Sequence, residues 1–315
     1  MSGKDDIRPE AMAHLTELDA LSDGMIGWLI ERAIEQKRTF KKTGKLTRSL
    51  KGKTLAMLFQ KPSLRTRLGF EVAMTQLGGH AIFLDSQQIG LGGRETLADS
   101  TRVIASMCDG IMARVFDHAM ITTLAEHSSV PVINGLSDTG HPCQALTDLM
   151  TLQEEFGGLA GLRLAYIGDG NNVARSLAIG CARTSVEFVI ATPSGHGLDA
   201  GFVDGLNQRY GASSVTVADS PASAADGADG LYTDVWTSMG QEHEAQRRRP
   251  DFGGYQINAA LVERAKPTAI VLHCLPAHRG EEITDDVLDG PGSRVFAQAE
   301  NRLHLQRTLL AVLLG

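Results

Sequence analysis

Two guanidiniums and two hydroxyls stand within five residues, Ser63-Leu64-Arg65-Thr66-Arg67, directly behind Lys61-Pro62. The preceding run, Thr54–Phe59, reads as a strand, and apolar residues at helical spacing follow, so Ser63 is placed as the N-cap of a helix from about Leu64. A helix start offers unpaired N–H groups and a partial positive charge, which suits an anion. Cations at that end are unfavourable unless an anion joins them, and no acid appears until Glu71. The segment therefore reads as a phosphate site, in which the forks of Arg65 and Arg67 match phosphate oxygens. The competing reading is an ordinary capped helix with solvated arginines.

Further chemistry-bearing residues also follow apolar runs. Arg114 ends the run GIMARVF, where a charge is expensive unless it faces a site or pairs with Asp117 or Asp138. His141-Pro142-Cys143-Gln144 opens a helix after VPVIN; a His and a Gln there suit a small carbonyl or amide, or else cap the helix. Gly168-Asp169-Gly170-Asn171-Asn172 resembles a dinucleotide turn, but Val173-Ala174 stand where a third glycine belongs, which favours a polar small ligand over nicotinamide. Asp234 ends the run GLYTDV and suits a cationic group, and Ser238-Met239-Gly240 beyond it reads as a lid or as a plain surface loop. Cys274, in His273-Cys274-Leu275-Pro276, ends a strand among ionisable residues, a setting unlike that of a core thiol. Arg302, before the final helix, is an anion contact or a surface charge.

The elements that must carry these residues alternate. Strands are expected at Thr54–Phe59, His80–Leu84, Gly110–Val115, Val130–Asn134, Arg163–Gly168, Val186–Thr192, Val215–Ala218, Gly230–Val235, Ala269–Leu275 and Arg294–Ala297. Amphipathic stretches lie between most of them, including Glu95–Met107, His141–Phe156, Asn172–Arg183 and Ile257–Ala265. This pattern predicts an α/β fold with parallel sheets covered on both faces, and ligands at the carboxyl ends of the strands. Ten strands are many for one sheet, and Gly157-Gly158 precede a fresh βαβ series, so two doubly wound domains of similar size are expected, with the active site in the cleft between them. They divide as 1–150, joined by a C-terminal helix at 300–315, and 151–299; the first helix, Ile26–Phe40, packs with the last, Asn301–Leu314.

Composition narrows the function. The chain has 315 residues, 43% hydrophobic, with a net charge of −7, which argues against a nucleic-acid binder driven by overall positive charge. No run of about 18 apolar residues suggests a membrane span, and acids near the N-terminus replace the apolar core of an export signal. Four widely spaced cysteines suggest neither disulfides nor a zinc site, which fits the cytoplasm.

Taken together, Ser63–Arg67, His141–Gln144, Asp234–Gly240 and His273–Pro276 resemble, in order, the S-T-R-T-R, H-P-x-Q, D-x-W-x-S-M-G and H-C-L-P motifs of the aspartate/ornithine carbamoyltransferase family, and within it of the enzymes that act on ornithine. The resemblance runs from about Leu55 to Gln306. It implies transfer of a carbamoyl group from carbamoyl phosphate to the δ-amine of L-ornithine, giving L-citrulline and phosphate, in arginine biosynthesis. It implies that Ser63, Leu64, Arg65 and Thr66 hold the phosphate and that Arg114, His141 and Gln144 bind the carbamoyl group with help from Arg302. Asn172, Asp234, Ser238 and Met239 would hold ornithine, with Cys274 and Leu275 where the substrates meet. Asp234, Cys274, Arg114 and His141 would carry the catalysis, with no cofactor or metal, in a homotrimer or a multiple of one.

Two departures from the pattern stand out. Leu64 replaces a Thr of the phosphate motif, and Gly90 occupies the place of a glutamine that reaches a neighbouring subunit's site, with Gln87 and Gln88 nearby. Other acceptors (aspartate, putrescine, an N-acylated ornithine), a non-catalytic carbamoyl-phosphate binder and an NAD-dependent dehydrogenase are the alternatives. Asp234 argues against aspartate, the filled catalytic positions against the non-catalytic binder, and the missing glycine against the dehydrogenase.

Overall fold

The computed structural model describes residues 12–90, 93, 95–237, 240 and 244–315, the side chains of Gln88 and Ala245 aside. Nine strands among the described residues form two wholly parallel sheets. The first holds β1 (Thr54–Phe59), β2 (His80–Asp85), β3 (Gly110–Arg114) and β4 (Val132–Leu136) in the order β2-β1-β3-β4. The second holds β5 (Arg163–Ile167), β6 (Glu187–Ala191), β7 (Val215–Val217), β8 (Gly230–Thr233) and β9 (Ile270–His273) in the order β7-β6-β5-β8-β9. The longer helices are α1 (Met25–Thr43), α2 (Leu64–Leu77), α3 (Leu97–Met107), α4 (His118–His127), α5 (Pro142–Phe156), α6 (Asn172–Arg183), α7 (Ala200–Tyr210) and α8 (Val295–Leu314).

The chain forms two compact units, one of Met1–Ser137 with Leu303–Gly315, the other of Asp138–Arg302. In the first, β1 and β3 are buried nearly throughout, as central strands of a covered parallel sheet must be. Their apolar residues meet α4 through Ile121 and Leu124. As expected, α1 and α8 pack together: Thr308 donates to Gln36 Oε1 at 3.0 Å, and the Arg307 guanidinium lies 5.2 Å from the Phe40 ring centroid. In the second unit, β5, β8 and β9 are buried almost throughout, and their apolar residues pack with Ala224, Ala225, Leu261 and Leu288.

Two expectations fail. Arg294–Ala297 is no strand; Val295–Ala297 is the first turn of α8. The β-like composition of Arg-Val-Phe-Ala is overridden because Gln298, Asn301 and Arg302, spaced at helical intervals, all bond to α5. Ile257–Ala265 holds only the single helical turn Ala259–Val262, with Ile257 tied to Ile283 in a bridge. The expected division at 150/151 falls inside α5.

Candidate active site

The phosphate segment forms as its sequence dictates. Ser63 caps α2 in extended conformation, and its Oγ accepts from the Thr66 N–H at 3.2 Å. Thr66 is buried and Arg65 partly so, while Leu64 is 68% exposed. Arg67 has partners of its own. Its Nε donates to Glu71 Oε1 at 2.9 Å one turn along α2, and its guanidinium covers the Phe83 ring of β2 at 4.1 Å. Arg114 ends β3 and is buried. The ladder from β3 to β4 shifts register at Ala113/Arg114, and Gly135 lies against Met112 there.

In the second unit, His141 is the buried N-cap of α5, with Pro142 in the first turn; its N–H donates to Ser176 Oγ on α6 at 2.8 Å. Gln144 is also buried, held at both ends. Its Nε2 donates to Asp148 Oδ1 at 2.7 Å, and its Oε1 accepts from Arg302 Nη1 at 3.0 Å. Asp148 additionally accepts from Gln298 Nε2 at 2.6 Å and from the Tyr232 hydroxyl at 3.1 Å. Burial pushes its carboxyl up to about 7, against the pull of these donors. Gln298 then accepts the His273 N–H at 2.9 Å, one residue before Cys274.

The strand ends of β8 and β9 bring Asp234 and Cys274 together. The Cys274 thiol donates to Asp234 Oδ1 at 2.8 Å, and the Asn171 amide donates to Oδ2 at 2.8 Å. Asn171 also caps α6, its Oδ1 accepting from Val173 and Ala174 N–H groups, so the turn after β5 and the acid after β8 are one construction. Asn172 is the first residue of α6. Behind Cys274, the Leu275 N–H donates to His273 Nδ1 at 2.8 Å, which leaves the proton on Nε2, 3.0 Å from Glu282 Oε1; both side chains are buried. Leu275 itself has φ 58°, a left-handed conformation unusual for leucine.

A second buried group holds the segment after Asp234. Arg248 donates from Nε to the Trp236 carbonyl at 2.9 Å and pairs through Nη2 with Asp169 Oδ1 at 2.7 Å. Burial raises the Asp169 carboxyl above its usual range, and Arg248 pulls the other way. Trp236 stacks on Phe252 with centroids 5.7 Å apart. The turn under Asp169 needs glycine: a Cβ on Gly170 would meet the Gly197 backbone at 2.6 Å.

Residues 13–154 match the family description "Aspartate/ornithine carbamoyltransferase, carbamoyl-P binding domain", and residues 160–313 match its "Asp/Orn binding domain". The chain belongs to the aspartate/ornithine carbamoyltransferase family. Relatives in this carbamoyltransferase family include the ornithine carbamoyltransferase of Pyrococcus abyssi, 51% identical over 91% of this chain and 92% of its own length. That of Bacillus subtilis is 49% identical over 95% and 93%. The solved ornithine carbamoyltransferase of Pyrococcus furiosus superposes with a TM-score of 0.93 at 48% identity, covering 98% of this chain and 99% of that one.

For a carbamoyltransferase, the structure gathers Arg302 with Gln144, and Asp234 with Cys274, in the second unit. Ser63, Leu64, Arg65, Thr66 and Arg114 lie in the first. Ser238 and Met239 fall outside the described residues. Gln87 is exposed on the helical turn Ser86–Ile89, beside Gly90. Sequence reasoning missed Asp148, Gln298 and Arg248 altogether, and gave Asn171 no role at Asp234. The one available signal was the spacing of Gln144 and Asp148, a single helical turn apart.

Proposed function

We propose that this chain transfers the carbamoyl group of carbamoyl phosphate to the δ-amine of L-ornithine, giving L-citrulline and phosphate. The carrying observation is the carboxylate of Asp234, buried at the end of β8 and oriented by Asn171 and Cys274. An acid fixed in this way suits a cationic amine. That the relatives are ornithine carbamoyltransferases supports ornithine as the acceptor, and that the Pyrococcus furiosus relative is an anabolic one supports a place in arginine biosynthesis.

The first unit takes the phosphate through Ser63, the Leu64 backbone, Arg65 and Thr66, at the start of α2. Arg114 and His141 stabilise the charge that grows on the carbamoyl oxygen, and Gln144, braced by Arg302, takes the carbamoyl amide. Cys274 and Leu275 stand beside the reacting carbon. Asn172, Asp234, Ser238 and Met239 hold ornithine. A free alkyl amine titrates near about 10.4, so the nucleophile must lose a proton; burial with Asp234 and Cys274 orients the neutral amine toward the carbonyl. The amine gives one proton to solvent before attack; the N–C bond then forms as the C–O bond to phosphate breaks, the amine's second proton leaves with the phosphate, and proximity supplies much of the rate.

The functional halves are 1–150 with 300–315 for carbamoyl phosphate and 151–299 for ornithine. The assembly is proposed to be a homotrimer or a multiple of one; the exposed apolar stripe of Leu64, Leu68 and Val72 along α2, with Ile82 exposed on the edge strand β2, supports an interface between copies. A cytoplasmic setting accords with four free cysteines. No helix among the described residues is long and apolar enough to cross a membrane. The test is citrulline formation with ornithine run beside aspartate, putrescine and N-acetylornithine. Turnover confined to ornithine supports the reading, and turnover confined to another acceptor overturns the ornithine assignment.

A further inference from the structure

We propose that Asp148 is a positioning residue that fixes the direction of two side-chain carboxamides, those of Gln144 and Gln298. The inference rests on the reading of Gln144 as the carbamoyl-amide contact. It follows from donor and acceptor counting rather than from the nominal placement of amide nitrogen and oxygen. The Arg302 guanidinium has donors only, so the Gln144 atom 3.0 Å from it must be oxygen. The His273 backbone N–H is likewise a donor, so the Gln298 atom 2.9 Å from it must be oxygen. Both amide nitrogens then face Asp148 Oδ1, at 2.7 and 2.6 Å. Only an acceptor at that place satisfies both, and Asp148 supplies one in a fully buried setting.

The consequence reaches the chemistry from two sides. A carbamoyl group ends in an NH2, which needs an acceptor. Gln144 presents Oε1, whose second lone pair remains for that NH2 while Arg302 takes the first. A reversed Gln144 would offer an amide donor to a donor and reject the ligand. Through Gln298, the same carboxylate holds the His273 backbone and hence the placement of Cys274, which bonds Asp234. Asp148 faces Arg302 on α8, Tyr232 on β8, Tyr166 on β5 and Cys181 on α6, and Gln144 lies on its own helix. What the two carboxamides need is its acceptor oxygen, not its charge. An asparagine keeps that oxygen, because its own NH2 can turn only toward the Tyr232 hydroxyl.

The test compares binding of phosphonoacetamide, which carries both the carboxamide and the phosphonate, with binding of inorganic phosphate, which lacks the amide. Asp148→Leu is expected to weaken phosphonoacetamide by more than about tenfold while phosphate changes by less than about threefold, and Asp148→Asn is expected to restore phosphonoacetamide to within about threefold of wild type. Equal losses of both ligands in Asp148→Leu, or failure of Asp148→Asn to restore the amide ligand, would overturn the proposal. Neutron diffraction on wild-type crystals gives an arm independent of variant folding. Deuterium on the Gln144 and Gln298 nitrogens that face Asp148 supports the proposal, and either amide reversed overturns it. If wild-type protein binds neither ligand, the carbamoyl-phosphate reading fails, while the neutron result still decides the role of Asp148.

Discussion

The Cys274 thiol donates to Asp234 Oδ1 at 2.8 Å, a contact between the ends of the neighbouring parallel strands β9 and β8. The pairing of Thr233 with His273 in the ladder sets it, since Asp234 and Cys274 are the next residue on each strand. Two residues 40 apart in sequence thus become one unit by sheet register alone. Among the described residues, removing the thiol leaves Asp234 oriented by Asn171 and the Val235 N–H. Cys274→Ala is expected to lower kcat/KM for ornithine about tenfold, while Cys274→Ser, which keeps a donor, loses much less. Steady-state citrulline assays at saturating carbamoyl phosphate check this.

Arg248 and Asp169 are both buried and 2.7 Å apart, and Arg248 also holds the Trp236 carbonyl. Breaking such a pair strands a buried charge. Arg248→Met is expected to cost on the order of 3 kcal/mol in stability, with a rise in the KM for ornithine because Trp236 stands just before Ser238. The double variant Arg248→Met with Asp169→Asn should recover part of the stability. Urea unfolding of the single and double variants measures both effects.

Asp148 gives a pH signature. Its pKa is raised from the ordinary carboxylate value of 3.8 to about 7. A raised acid is stabilising while it is protonated, so the contribution is fully present below the unfolded value and is lost as pH rises through about 7. Relative to Asp148→Asn, wild type should lose about 3 kcal/mol of stability between pH 5 and pH 8, with little further change above that. Subtracting the two unfolding curves at each pH removes the titrations the proteins share. A flat difference would show that Asp148 keeps an ordinary pKa.

The proposed assembly would pack through the α2 stripe. Leu68 is 51% exposed between Leu64 and Val72, one turn from each. Leu68→Glu should convert the proposed trimer to monomers in light scattering, because a charge in an apolar interface is costly. Leu64→Thr, within the phosphate segment itself, should leave the KM for carbamoyl phosphate within about twofold, since the Leu64 side chain is exposed and the proposed phosphate contact uses its backbone.

Much of this was legible in the sequence because the chemistry sits where strands end. Ser63, His141, Asn172, Asp234 and Cys274 each follow an apolar run, and parallel sheets bind ligands at that edge. What was illegible depends on long-range contact. Arg294–Ala297 looks β-like in isolation, and only its continuation onto α5 through Gln298, Asn301 and Arg302 makes it helix. Asp148 reads as one more polar residue in an amphipathic helix until Gln298, 150 positions away, closes on it. Arg248 lies within Arg247-Arg248-Arg249, and sequence cannot tell which member of that run is buried.

The most direct test of the central claim is citrulline formation from carbamoyl phosphate and L-ornithine by wild type and by Asp234→Asn. Wild type is expected to turn over, and Asp234→Asn to lose on the order of 100-fold or more in kcat/KM for ornithine with the KM for carbamoyl phosphate nearly unchanged. No citrulline from wild type, or an Asp234→Asn variant as active on ornithine as wild type, would contradict the account.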